Sequence, residues 1–109
     1  MKSDAIVVMV TAPNIQVARQ IADVLIKNRL AACVNILPQI QSVYTWQGEI
    51  HDDQEVLLII KSRAPLFEDA LVPAVQSVHP YDVPEIIALP IQMGAQNYLD
   101  WIAAETVLA

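Results

Sequence analysis

The sequence of 109 residues has only two glycines, one cysteine and six basic residues, and each scarcity excludes a class of site. Gly48 and Gly94 lie far apart, so no glycine-rich loop can cradle a phosphate. Cys33 has no second cysteine, which excludes an internal disulfide and a zinc site built on paired cysteines. The basic residues are scattered and the net charge is −6, so no nucleic-acid partner is expected.

Long apolar runs are also missing, although 55% of the residues are hydrophobic. The first run, residues 5–10, is too short to span a membrane, and the acid before it does not suit a signal peptide. We therefore expect no membrane partner. The lone cysteine favours a reducing compartment, and a cytoplasmic location is the corresponding expectation.

The hydrophobic patterns predict one domain, residues 1–109, with the order strand, helix, strand, strand, helix, strand, helix. Strands are predicted at residues 5–11, 31–36 continuing as 40–46, 49–60, and 85–91. Asn14 is placed to cap the first helix, Ala64 and Pro65 to open the second, and the last is expected at 97–104. Pro73 predicts an irregular turn inside the second helix, because proline has no N–H to donate.

Apolar stripes indicate which helix faces pack on the sheet. The predicted buried faces are Ala18, Ile21, Ala22 and Leu25 in the first helix and Phe67, Ala70, Leu71, Ala74 and Val78 in the second. In the last helix, Tyr98, Trp101, Ile102 and Glu105 lie along one side. The first strand, a continuous apolar run, is expected to be buried on both faces.

The element order is that of an α+β, ferredoxin-like β-α-β-β-α-β sandwich with an added C-terminal helix. In this fold the first and third strands are central, and the second and fourth lie at the edges. Proline is tolerated at an edge, where its missing N–H breaks no ladder. Pro38 falls in the predicted second strand and Pro84 and Pro90 in the fourth, so the prolines agree with the predicted strand order.

The hairpin between the second and third strands is about twice as long as ordinary strands require. Its turn, Gln47-Gly48, is expected to project beyond the helices, with Ile40, Tyr44 and Trp46 on one strand face. Such an arm needs a partner, and we predict an interface with another copy through these three residues. The alternative is that the tip folds back over its own sheet.

Three sets of side chains are candidates for chemistry. Cys33 has apolar neighbours, which favours a buried and inert thiol over a nucleophile. Glu49, His51, Asp53 and Glu55 alternate along the third strand, so they form either a cation site or a solvated face. His79 precedes a rigid Pro-Tyr-Asp-Val-Pro segment, where it is either functional or a histidine favoured by a helix C-terminus.

Several spaced motifs together resemble the CutA divalent-cation tolerance proteins over nearly the whole chain. They are Thr11-Ala12-Pro13, Leu30-Ala31-Ala32-Cys33-Val34-Asn35, Tyr44-Thr45-Trp46-Gln47-Gly48, the segment 56–61, the segment His79-Pro80-Tyr81-Asp82-Val83-Pro84-Glu85-Ile86-Ile87, and Tyr98-Leu99-Asp100-Trp101-Ile102. The resemblance implies a ferredoxin-like subunit of a homotrimer that responds to copper and other divalent cations.

The leading hypothesis is a binding or regulatory protein rather than an enzyme, with no required cofactor and copper or another divalent cation as a candidate ligand. Val10 and Val78 stand where some family members have a cysteine and a second histidine, so His79 is the one metal-ligand candidate retained. A second hypothesis is a PII-like signalling trimer with a small ligand in clefts between subunits, near Lys61, Tyr81 and Glu85. A third is an enzyme that uses Cys33 or His79.

Overall fold

Four strands form one antiparallel sheet in the order β2-β3-β1-β4. The computed structural model describes residues 3–107. The strands are β1, Ala5–Ala12; β2, Cys33–Trp46; β3, Glu49–Arg63; and β4, Ile86–Pro90. The predicted ferredoxin-like order is confirmed, with β1 and β3 in the centre. Pro38 and Pro90 lie in the edge strands, while Pro84 lies just before β4.

The first helix, α1 at Ile15–Lys27, packs on the sheet through the predicted stripe of Ala18, Ile21, Ala22 and Leu25. Asn14 caps it as expected, because its side-chain Oδ1 accepts a hydrogen bond of 2.9 Å from the Val17 amide. This stripe packs on the side chains of β1 and β3 that point toward the helices. Those side chains are buried. This layer is the hydrophobic core.

The second helical region is broken where Pro73 predicted an irregularity. It comprises α2 at Ala64–Leu66, a π-helical turn at Phe67–Leu71 and α3 at Val72–Val78. The Val72 amide bonds to the carbonyl of Phe67, five residues back. A π turn holds an extra residue and rotates the side chains after it around the helix axis, so the predicted stripe is partly wrong. Leu66, Leu71 and Val75 are buried, and Phe67, Ala70, Ala74 and Val78 are only partly buried.

The long hairpin projects as predicted, as an arm formed by the distal parts of β2 and β3. β1 pairs with residues 56–63 of β3 only, so residues 49–55 extend past it with β2 alone. The chain measures 45 × 26 × 23 Å, and Ile50 near the tip is 79% exposed. Gln47 and Gly48 both adopt positive φ, which suits a two-residue turn between strands. The arm does not fold back over the sheet.

The last helix, α4 at Gln96–Glu105, buries only Ile102. Tyr98, Trp101, Ile102 and Glu105 share one side of the helix as predicted, but of these four only Ile102 is buried. Tyr98 and Trp101 are exposed and pack on each other, with ring centroids 5.5 Å apart, and Glu105 is also exposed. The Arg29 guanidinium donates to the carbonyls of Ala104 and Glu105, which satisfies the helix end. Among residues 3–107, no helix has the length and apolar character needed to cross a membrane.

The sheet face turned away from α1 and α3 is apolar and is named here the open face. Across it, the registers align Ile87, Met9 and Ile59 in one row. Its other apolar members are Val7, Leu37, Leu57 and Leu89. Within one chain these residues are half-buried or exposed, so a single chain buries β1 fully only on the side of the helices and not on both faces as expected. Cys33 shares this face and is half-buried, which corrects the prediction of a buried thiol.

Candidate ligand cavity

A cavity of about 630 Å³ lies beside the base of the arm. Residues of β2 form one side, the loop at residues 81–85 forms another, and Thr11 at the end of β1 and Glu55 of β3 complete it. Its lining residues are Thr11, Gln41, Ser42, Val43, Tyr44, Trp46, Glu55, Tyr81, Asp82, Val83 and Glu85. A volume of this size admits a small molecule.

The register of the arm places two predicted rows of side chains on the same face. Ile40 pairs with Glu55, Tyr44 with His51 and Trp46 with Glu49, and directly paired residues point to the same side of a sheet. The Tyr44 ring stacks on His51 with centroids 5.2 Å apart, and its hydroxyl donates to Asp53 Oδ2 at 2.5 Å. The predicted alternation is confirmed, and it brings aromatic and acidic groups together.

Glu55 is the buried carboxylate of this cavity, with only 7% of its surface exposed. Its Oε2 accepts a hydrogen bond of 2.9 Å from the Tyr81 hydroxyl. Glu55 immediately precedes the apolar part of β3. It therefore lies at the boundary between the exposed arm and the part of β3 that packs in the sheet. Its burial was not predicted, although its position at the end of the polar row marks this boundary.

His79 is also buried, and both of its ring nitrogens are in hydrogen bonds. Nε2 lies 2.7 Å from the Thr11 carbonyl oxygen, and the Tyr81 amide donates to Nδ1 at 3.2 Å. Since a carbonyl can only accept, the proton is on Nε2 and the ring is the neutral tautomer. His79 therefore fastens the start of the 81–85 loop to the end of β1.

The predicted cleft residues are only partly brought together. Tyr81 and Glu85 both line the cavity, but Lys61 does not. Lys61 pairs with Cys33 at the far end of β3, and its Nζ donates to Asn35 Oδ1. One chain therefore gathers two of the three residues. The predicted interface residues Tyr44 and Trp46 also line the cavity, and sequence reasoning had not connected them with Tyr81.

A metal site does not form within the described part of one chain. Residues 3–107 contain no group of three or more His, Cys, Asp or Glu side chains placed to hold a metal ion. His79 has no free ring nitrogen while its two hydrogen bonds are intact. The side chains of a single chain thus do not fit the divalent cation that the family resemblance implies.

The surroundings of Tyr81 predict a loss of stability in alkali. Burial raises the pKa of Tyr81 above its ordinary value of 10.0, and the bond to Glu55 and the charge of that carboxylate raise it further. A raised pKa contributes stability that is complete below pH 10 and is lost as the hydroxyl ionises at higher pH. We expect the free energy of unfolding to fall between about pH 8 and about pH 11, and to fall less in Tyr81→Phe.

Urea unfolding at the two pH values checks this expectation. Tyr98→Phe is the comparison variant and measures the effect of burial without such a bond, because burial is the main cause that raises the pKa of Tyr98 and no hydrogen bond contributes to that shift. If the free energy of unfolding fell by the same amount between the two pH values in Tyr81→Phe and in the wild type, the role given to the Tyr81–Glu55 bond would be contradicted.

The sheet order and the projecting hairpin define a small α+β domain of the ferredoxin-like class, with a cavity beside its hairpin. The chain belongs to the family of the CutA1 divalent ion tolerance protein, whose model matches residues 6–105. It is 51% identical over 100 residues to the divalent-cation tolerance protein CutA of Thermus thermophilus. This match covers 92% of this chain and 96% of the relative. It is similar to the crystal structure of CutA1 from Oryza sativa, with a TM-score of 0.91 and 50% identity, over 96% of this chain and 95% of that one.

Some relatives are longer and belong to other compartments. The chloroplastic CutA of Arabidopsis thaliana is 49% identical over 102 residues, and the match covers 94% of this chain but 56% of the relative. A rice relative is also named chloroplastic, and a similar structure from Archaeoglobus fulgidus is called periplasmic. These names overturn the cytoplasmic inference, because members of this family occur elsewhere and the lone cysteine does not determine the compartment.

Proposed function

We propose that this chain acts in tolerance of divalent cations, by binding rather than by catalysis, as a homotrimer. Membership of the tolerance family carries the proposal. The surroundings of His79 and Glu55, two buried groups that could act as an acid or a base, support binding rather than catalysis. His79 and Glu55 are held in hydrogen bonds within the chain, where they order the loop beside the cavity.

The arm and the open face support assembly with other copies. The open face is apolar and wide, with Ile87 51% exposed at its edge. The arm adds Ile40, Tyr44 and Trp46 on one side, and an exposed two-stranded arm is marginal without a partner. An exposed apolar face on a small chain supports a protein interface. Two further copies would cover it.

The metal contact in this proposal is His79, with copper or another divalent cation as the ligand. A threefold assembly supplies three copies of each side chain, and imidazole is a ligand that copper and zinc accept. Binding at His79 requires release of one of its two hydrogen bonds, and the weaker is the 3.2 Å contact from the Tyr81 amide. Metal binding would then loosen the 81–85 loop.

Isothermal titration with Cu(II) and Zn(II) tests this contact. We expect affinity to fall at least tenfold in His79→Ala and to stay unchanged in His51→Ala, since His51 stacks on Tyr44 in the arm. Circular dichroism verifies that both variants are folded. Equal heats for wild type and His79→Ala would remove His79 from the function, and no heat in any protein would remove metal binding.

A second function is favoured by the cavity itself: a PII-like signalling trimer with a small ligand in clefts between subunits. Tyr81 and Glu85 line a space large enough for such a molecule. Lys61 lies away from this cavity in the same chain, so it belongs to the proposal only through a neighbouring copy. Ligand-induced stabilisation in a thermal-shift screen of nucleotides and metabolites tests this function, because binding to the folded state raises Tm.

A further inference from the structure

We propose that the cavity beside the arm binds a small organic cation, a compound that carries an ammonium group. This inference rests on the second proposed function, ligand binding, and names the chemical class of its ligand. Three features of the cavity carry it: the sign of its charges, its aromatic side chains and the buried carboxylate.

The charged side chains of the cavity are all acidic. Glu55, Asp82 and Glu85 line it, and no lysine, arginine or histidine does. Asp53 lies close by, through its bond with the Tyr44 hydroxyl. Two of these carboxylates act on the tyrosines: the hydrogen bond to Asp53 raises the pKa of Tyr44, and burial together with the hydrogen bond to Glu55 raises that of Tyr81. A phosphate group would meet repulsion here and no basic partner, so the cavity favours a cation over a nucleotide.

The aromatic side chains determine which kind of cation fits. Tyr44, Trp46 and Tyr81 all line the cavity. The face of an aromatic ring attracts an ammonium group, and desolvated sites of this kind recognise alkylated ammonium ions. A bare metal ion would need several oxygen or nitrogen ligands, which the described residues do not gather. The volume of about 630 Å³ also suits a molecule rather than an ion.

Glu55 supplies the fixed negative charge in contact with the ligand. It is more than nine-tenths buried, and a buried carboxylate is stabilised by a charged partner. Among the described residues, only its Oε2 accepts a hydrogen bond, from Tyr81. The other carboxylate oxygen remains available, and an ammonium N–H or methyl group in the cavity can approach it.

Thermal shift followed by isothermal titration on the full chain tests the proposal with defined probes. The cationic probes are tetramethylammonium and 1,4-diaminobutane, the neutral probe is tert-butanol, and the anionic probe is ATP. We expect the cations alone to raise Tm, and their affinity to fall with added salt. Glu55→Gln should weaken their binding at least tenfold, since glutamine keeps an oxygen for the Tyr81 hydroxyl but has no charge.

Controls separate loss of binding from other losses. Glu68→Gln removes an exposed acid that does not line the cavity, and its affinity should match the wild type. Light scattering on each variant detects loss of assembly, because Tyr44 and Trp46 are also proposed interface residues. If Glu55→Gln fails to fold, Asp82→Asn with Glu85→Gln replaces it, and the same loss of cation affinity is expected.

The outcomes distinguish this inference from the functions on which it rests. Stabilisation by ATP and not by the cations would overturn the ligand class but keep ligand binding. Titration heats with Cu(II) and none with any organic probe would overturn both the inference and the ligand-binding function, and leave metal tolerance standing. Cation binding that is equal in wild type and Glu55→Gln would place the site elsewhere.

Discussion

Ile87→Glu is expected to convert the proposed homotrimer into single chains at micromolar concentration. Ile87 is 51% exposed in one chain, so a glutamate there can remain in water when the chain is alone. In the assembly the same carboxylate would be buried on the open face beside Met9 and Ile59. Burying an unpaired charge costs several kcal/mol, and a trimer would bury three. Light scattering should show one third of the wild-type mass.

Ile15→Glu is the matched control for this variant. Ile15 is 44% exposed and opens α1, on the opposite layer of the molecule from the open face. A glutamate in the first turn of a helix is favoured by the helix dipole, so this variant should keep the wild-type mass and stability. A wild-type protein that runs as a monomer would overturn the trimer. A trimeric Ile87→Glu protein would remove the open face from the interface.

The sheet could be predicted from the sequence because its signals are local and agree with one another. The continuous apolar runs identify β1 and β3. Pro38 in β2 and Pro90 in β4 exclude these two strands from the centre of the sheet. Asn14 begins α1 through a bond to a residue three positions later. Each feature depends on a few neighbouring residues, so no knowledge of distant contacts was needed.

Features that depend on backbone irregularity or on distant packing were less predictable. Pro73 indicated that the second helix is irregular, but it did not indicate the kind of irregularity. The π turn that forms determines which side chains after it face the core. Val75, which follows the π turn, became buried for that reason. Cys33 has apolar neighbours in sequence, yet the register of β2 with β3 places its side chain on the open face, which α1 and α3 do not cover.

The cavity shows the same division. The alternation along each strand predicted two rows of side chains, but only the pairing of Ile40 with Glu55 places both on one face. That pairing comes after the register shift between Leu37 and Ile40, beside Pro38. The loop residue Tyr81 reaches Glu55 across 26 positions of sequence. Periodicity does not encode a contact of that range, so the cavity emerged only from the fold.

His79→Ala is expected to lower the free energy of unfolding by about 2–4 kcal/mol in the absence of any metal. The imidazole is buried and bridges the Thr11 carbonyl and the Tyr81 amide. Its removal leaves the buried Thr11 carbonyl and the part-buried Tyr81 amide without these partners, and an unsatisfied buried group costs about 1–3 kcal/mol. The 81–85 loop would also lose its attachment to β1. Urea unfolding at one fixed protein concentration, with a chelator present, measures the effect.

Two further variants identify the cause of that loss. His51→Ala removes a half-buried histidine whose ring stacks on Tyr44, and about 0.5–1.5 kcal/mol is expected. His79→Gln can still donate to the Thr11 carbonyl but offers no acceptor at the position of Nδ1, so it should recover about half of the loss. If His79→Ala were destabilising only when Cu(II) or Zn(II) is present, the ring would stabilise the protein as a metal ligand. A loss that persists with the chelator instead makes His79 a structural residue, and any metal contact must compete with the two hydrogen bonds that hold the loop.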